Sequence, residues 1–244
     1  MTTPLLVLWD IDHTLIETGG VGSQVYAEAF AKVTGHLIEK MPELAGRTEP
    51  VIFREALKVN GVEGGEDLYE QFATEQARGY AEHLDALRSR GRALPGATEA
   101  LQALSQRDGV TQSVLTGNTR PSAEIKLRAF GLDEHLDFDI GAYGTDDDTR
   151  ANLVRIARQR AEKVHGQDYE ARNTVLIGDT PNDVVAALNS GARIIAVATG
   201  RDTAADLAAA GADIVLSNLT DTSAVLAAIF GGNECPSDSP HTRP

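Results

Sequence analysis

"LLVLWDIDHTL", residues 5–15, decides how the rest of the chain is read. Its first five residues are an unbroken apolar run without polar alternation. That is the pattern of a strand buried on both faces, as in a parallel sheet. Asp10 follows at once and Asp12 two residues later, so two like charges stand at the mouth of the core. At ~4 Å and an effective dielectric of about 20, such a pair repels by on the order of 4 kcal/mol. Either the pair is a solvated strand end, or a cation offsets the repulsion.

Similar runs recur downstream: "VTQSVLTG" (110–117), "FDIGAY" (138–143), "NTVLIGD" (173–179), "RIIAVATG" (193–200) and "ADIVLS" (212–217). Helical patterns lie between them. "RPSAEIKLRAFG" (120–131) and "PNDVVAALNSG" (181–191) both end in a glycine suited to a helix C-cap, and the second has Pro181 at its start. Alternating strands and helices predict an α/β, doubly wound parallel-sheet core. The stretch from about 21 to 90 differs. It carries helical patterns, such as "EDLYEQFATEQARGYAEHLDALRSRG" (66–91), and no convincing strand. An all-helical lobe inserted after the first strand is expected. The boundaries read as a core of 1–17 and 95–232, a cap of 18–94 and a flexible polar tail of 233–244.

The 244 residues suffice for such a core plus insert, and the net charge of -14 narrows the partners. Nucleic acid and anionic membranes both call for a positive surface, so neither is expected. No apolar run approaches the ~20 residues that span a bilayer. The single cysteine, Cys235, can form no internal disulfide, and the first residues lack a basic leader, so a cytoplasmic protein is expected, monomer or homodimer.

In open α/β sheets, ligands bind beyond the carboxyl ends of the strands. Asp10 and Asp12 end the first strand, Thr116–Gly117–Asn118 the second, and "GDTPND" (178–183) brings Asp179 and Asp183. All-oxygen ligands with neither His nor Cys favour Mg²⁺. A carboxylate beside that ion can attack a phosphoryl group, Thr116 and nearby backbone N–H groups can bind its oxygens, and a second carboxylate can move protons. The bland alternatives are that Asp179 and Asp183 merely cap a helix, that Thr116 is a turn residue, and that Trp9 is core.

"DIDHTL", "TGN" and "GDTPND", in this order, resemble the haloacid dehalogenase superfamily, chiefly its Mg²⁺-dependent phosphatases. "GRTEP" (46–50) and "LPGATEALQAL" (94–104) are similar to its phosphoglycolate-phosphatase and phosphoglucomutase-like branch, which carries a helical cap. The resemblance spans the chain to about residue 230. It implies Asp10 as nucleophile and metal ligand. Asp12 is implied as general acid/base, with its carbonyl on the metal. Asp179 and Asp183 complete the metal set. Thr116 is implied to bind the transferring phosphoryl group with Gly117 and Asn118. The family often places a Lys-Pro pair next, and this chain has none. Arg150 stands at about that place, with Lys126 the alternative, which reads otherwise as a solvated helix lysine. Arg47 and His13 are candidates to touch the substrate, and each reads equally as a surface or covering residue. Dehalogenases of the family lack a second aspartate at Asp12. The implied activity is hydrolysis of a small phosphorylated substrate through an aspartyl-phosphate. A phosphomutase is the alternative, and a phosphoacceptor module or a silent binding protein stands further off.

Overall fold

The structure, a computed structural model, describes residues 4–231. The tail expected at 233–244, with Cys235, lies outside the described residues. In chain order the elements are β1 (Leu5–Trp9), β2 (Ile16–Glu17), α1 (Val21–Thr34), α2 (Glu49–Val59), α3 (Glu66–Glu82), α4 (Leu84–Arg90), β3 (Arg92–Ala93), α5 (Ala97–Ser105), β4 (Val110–Val114), α6 (Arg120–Ala129), α7 (Arg150–His165), β5 (Thr174–Gly178), α8 (Pro181–Ser190), β6 (Arg193–Val197), α9 (Ala204–Ala209), β7 (Val215–Leu216) and α10 (Thr222–Phe230).

Five strands form a parallel sheet in the order β4-β1-β5-β6-β7. The continuous apolar run of β1 is explained by its central place. Val7 and Trp9 enter one buried layer with residues of α5, α6 and α10, such as Leu101, Leu127 and Ile229. Leu6 and Leu8 enter the opposite layer with residues of α7 and α8, such as Leu153 and Val184. Trp9 is fully buried, as its alternation with Asp10 predicts, and its indole N–H donates to Gln112 at 3.2 Å. Register then builds the site edge. Trp9 lies opposite Val114 on one side and Ile177 on the other, so the residues just beyond all three emerge together.

Helices α1–α4 form a lobe around a stack of aromatic rings. Phe53 and Phe72 face one another at 4.5 Å between centroids, and Phe30 and Tyr26 close in edge-on. A second apolar contact, through Val25, Tyr80 and Leu87, seats the lobe on Ile125, Ala129 and Phe130 at the end of α6. The chain leaves the core through β2 and returns through β3, and these two short strands pair antiparallel, Ile16 with Ala93 and Glu17 with Arg92.

Two expectations fail locally. "FDIGAY" forms no strand. A single bridge joins Leu115 to Ala142, because the Asp137 carboxylate accepts from the Asp139 N–H at 3.0 Å and turns the chain instead. The long helix expected over 66–91 is two helices. His83, at φ -98° and ψ 20°, breaks it, and its ring is tied to Glu28 of α1 at 2.7 Å. Among the described residues no helix is long and apolar enough to cross a membrane.

Candidate active site

Asp10 sits one residue past β1, its backbone N–H held by the Ile177 carbonyl at 2.9 Å. The residue is 7% exposed, and one of its carboxylate oxygens accepts from Arg150 Nη2 at 2.6 Å. Arg150, the first residue of α7, is therefore no ordinary first-turn residue. It is buried, and its Nε also donates to Asp183 at 2.8 Å. Asp183 is fully buried and divides its oxygens. One faces Arg150; the other accepts from the Thr180 N–H at 3.1 Å and hydroxyl at 2.6 Å, which caps α8. One side chain thus both caps α8 and meets Arg150. Asp179 is buried beside them and accepts from the Thr14 hydroxyl at 3.1 Å. A Cβ at Gly200 would lie 1.9 Å from an Asp179 oxygen, so only glycine permits this approach.

Asp10, Asp179 and Asp183 each offer an oxygen within 4.8 Å of the others, a set that could hold a metal ion. Their electrostatics fit a cation. Burial, with the charges of Asp183 and Asp12, pushes Asp10 up to about 7 against the pull of Arg150. Burial and the charges of Asp10 and Asp183 push Asp179 up to about 9. Carboxylates this crowded hold protons where no cation replaces them.

Asp12 differs. Burial raises it, but the Lys126 ammonium and the Asn118 amide outweigh burial and hold it below its ordinary value. Lys126 Nζ lies 3.0 and 2.9 Å from the two Asp12 oxygens and 2.7 Å from the Asn118 carbonyl oxygen. Asn118 Nδ2 donates to Asp12 at 2.8 Å and to the Thr116 hydroxyl at 2.7 Å. Lys126 is only 4% exposed, under the Tyr80 ring at 5.0 Å, so its reading as a solvated lysine is wrong. A signal was present: Ser122, Ala123, Lys126 and Leu127 share the buried face of α6 at helical spacing. The two basic candidates divide the aspartates between them, Arg150 on Asp10 and Lys126 on Asp12.

Gly117 joins the core to the lobe. Its carbonyl accepts from the Glu49 N–H at 2.8 Å, and a Cβ there would meet the Arg47 carbonyl at 2.0 Å. Arg47 lines the cavity, and its guanidinium pairs with Glu55. His13 lines the cavity too, exposed, at the left-handed φ of 65°; its carbonyl accepts from the Thr199 hydroxyl at 2.5 Å. The cavity, of about 230 Å³, runs from Asp10, Asp12 and Asp179 to the lobe. Its lobe wall includes Glu49, Gln76, Tyr26 and Tyr80, which the sequence reading did not single out.

Residues 7–188 match the family model for haloacid dehalogenase-like hydrolases. The chain belongs to that family. It is 29% identical over 202 residues to the phosphoglycolate phosphatase of Agrobacterium fabrum, across 80% of this chain and 81% of that protein. The fold is similar to that of a predicted phosphoglycolate phosphatase from Haemophilus somnus, with a TM-score of 0.65 at 20% identity over 93% of this chain and 99% of that one. It is equally similar to CbbY of Rhodobacter sphaeroides, solved with phosphate, at TM-score 0.65 and 20% identity over 90% and 96% of the two chains. A hydrolase of this family, with a buried carboxylate cluster at the strand ends, is what the chain is.

Proposed function

We propose that the chain is a Mg²⁺-dependent phosphatase that hydrolyses a small phosphorylated metabolite through an aspartyl-phosphate on Asp10. The observation that carries this reading is the meeting of Asp10, Asp179 and Asp183 within 4.8 Å, with Arg150 bonded to the first and third. The similarity to a phosphoglycolate phosphatase supports the same chemistry.

Mg²⁺ would be held by the side chains of Asp10, Asp179 and Asp183 and the Asp12 carbonyl, and when bound it neutralises phosphoryl charge. Asp10 attacks phosphorus and the ester oxygen leaves. Arg150, the Thr116 hydroxyl and the amides of the 116–118 turn bind the phosphoryl oxygens as charge builds on them. Asp12 gives the leaving oxygen its proton. It then takes one from the water that cleaves the Asp10–phosphorus linkage. The Lys126 contact keeps Asp12 ionised in the ligand-free site, the state that the second step needs. A bound phosphoryl group competes for Lys126, which loosens that hold and lets Asp12 carry the proton for the first step. The lobe serves as a cap. It meets the phosphate turn through the Glu49–Gly117 hydrogen bond and excludes bulk water during transfer.

The test is hydrolysis of p-nitrophenyl phosphate with Mg²⁺ and with chelator. Asp10→Asn is expected to lower kcat by on the order of 10⁴-fold with an unchanged circular dichroism spectrum. Near-wild-type turnover by this variant would falsify the nucleophile assignment. Release of inorganic phosphate from a sugar phosphate separates hydrolysis from a mutase, which returns an isomer instead.

A further inference from the structure

Glu49 is a buried acid that the chemistry above does not use. It is the first residue of α2, its backbone is pinned to the Gly117 carbonyl, and only 7% of the residue is exposed. Its carboxylate accepts from Gln76 Nε2 at 2.7 Å, and Gln76 in turn accepts from the Ser122 hydroxyl at 3.4 Å. Among the described residues no Lys, Arg or His nitrogen lies within 4.0 Å of the carboxylate. The cations around the cavity are engaged elsewhere. Lys126 spends its three N–H groups on Asp12 and Asn118, Arg150 serves Asp10 and Asp183, and Arg47 pairs with Glu55. Arg201 stands on an exposed segment of the rim.

A buried carboxylate with one neutral partner has acceptor capacity left over, and burial, with the charge of Asp12, pushes Glu49 up to about 7 against Gln76 and Lys126. A first-turn acid complements a helix dipole equally well from solvent, so the dipole does not explain why this one faces a cavity. Tyr26, 4% exposed, lines the same cavity, and its buried hydroxyl has no hydrogen-bond partner. The wall opposite the aspartates therefore offers acceptors and one unpartnered hydroxyl, with no free cation in the buried part.

We propose that Glu49, oriented by Gln76 and joined by Tyr26, selects the alcohol half of the substrate. The preferred esters carry a hydroxyl or ammonium donor on the carbon beyond the one bonded to the ester oxygen, and a carboxylate at that place is disfavoured. This rests on the reading of Asp10 as a phosphatase nucleophile. It separates the chain from its phosphoglycolate phosphatase relative, since phosphoglycolate would set a carboxylate against Glu49. Sites that hydrogen-bond a substrate group discriminate strongly, because the buried partner is otherwise left unmet.

The test is kcat/KM of the full chain with Mg²⁺ on glycerol 1-phosphate, phosphoethanolamine, phosphoglycolate and p-nitrophenyl phosphate. Wild type is expected to favour at least one donor-bearing ester over phosphoglycolate by about tenfold or more. Glycerol 1-phosphate in front identifies a hydroxyl donor, and phosphoethanolamine an ammonium. Glu49→Gln should shrink that ratio by about tenfold and leave p-nitrophenyl phosphate within about threefold. Tyr26→Phe should weaken the donor-bearing esters without lowering Tm, since its hydroxyl has no partner to lose. If Glu49→Gln fails to fold, the wild-type ranking and Tyr26→Phe decide. Wild type that cleaves p-nitrophenyl phosphate yet ranks neither donor-bearing ester above phosphoglycolate overturns the proposal. So does an equal loss on all four esters in Glu49→Gln. Wild type inert toward every ester overturns the phosphatase reading, and this proposal with it.

Discussion

Lys126 holds both carboxylate oxygens of Asp12, at 3.0 and 2.9 Å, while Arg150 holds Asp10 at 2.6 Å. The two cations therefore have separable effects. Arg150→Ala removes a donor from Asp10 and another from buried Asp183, and should lower kcat by about 10²–10³-fold. Lys126→Met leaves Asp10 untouched and should cost about tenfold, one hydrogen-bonded charge's worth. Kinetics on p-nitrophenyl phosphate would rank them, and the reverse order would make Lys126 the principal phosphate-binding group.

The crowded carboxylates predict a pH-dependent response to Mg²⁺. Asp10, pushed up to about 7, and Asp179, pushed up to about 9, keep protons in the folded chain that the unfolded chain has released. Without a cation, stability therefore falls as pH rises from about 4 through those values. Mg²⁺ bound as proposed would replace the protons, so its binding should strengthen over the same window. Thermal melts at pH 6 and pH 9, with chelator and with Mg²⁺, should show the larger Mg²⁺-induced rise in Tm at pH 9. An equal rise at both pH values would remove these carboxylates from the cation site.

The seam between lobe and core is tight at Gly117. A methyl group there would meet the Arg47 carbonyl at 2.0 Å. Gly117→Ala should push the start of α2 off the 116–118 turn and weaken the Glu49–Gly117 hydrogen bond. The expected result is a KM raised by about tenfold with little change in Tm. An unaltered KM would mean that this contact does not shape the substrate-bound state.

The lobe has its own apolar centre, and the only tryptophan, Trp9, lies outside it. Phe72→Ala should destabilise the lobe by about 3–5 kcal/mol. In guanidinium titrations, helix loss by circular dichroism should then begin below the transition seen by Trp9 fluorescence. Coincident transitions would show that lobe and core unfold as one unit.

Much of this was legible because strand ends are marked by chemistry. Asp10, Thr116 and Asp179 each follow an apolar run directly, and the parallel register of β1 with β4 and β5 brings them to one edge. Asp183 was legible by its spacing, although its cap and its Arg150 contact both fall on one side chain. Lys126 was misjudged for want of a partner in sequence. Its position is 114 residues from Asp12, and the apolar stripe that carries it inward also suits an ordinary helix face. Glu49 and Gln76 were invisible for a related reason. Their pairing spans two helices of a lobe whose packing no local pattern specifies. "FDIGAY" misled because its composition suits a strand while Asp137 and Asp139 turn the chain first.

The β2–β3 ribbon has a consequence of its own. Glu17 and Arg92 are directly paired, so the chain leaves the sheet and comes back at nearly the same point. Seen from the core, seventy-odd residues of lobe occupy a gap that a tight turn could close. The ribbon therefore fixes where the lobe begins and ends while leaving its length open. One catalytic edge can accept lobes of different length and wall chemistry, and a new substrate range can arise by exchange at the ribbon while the aspartates stay in place.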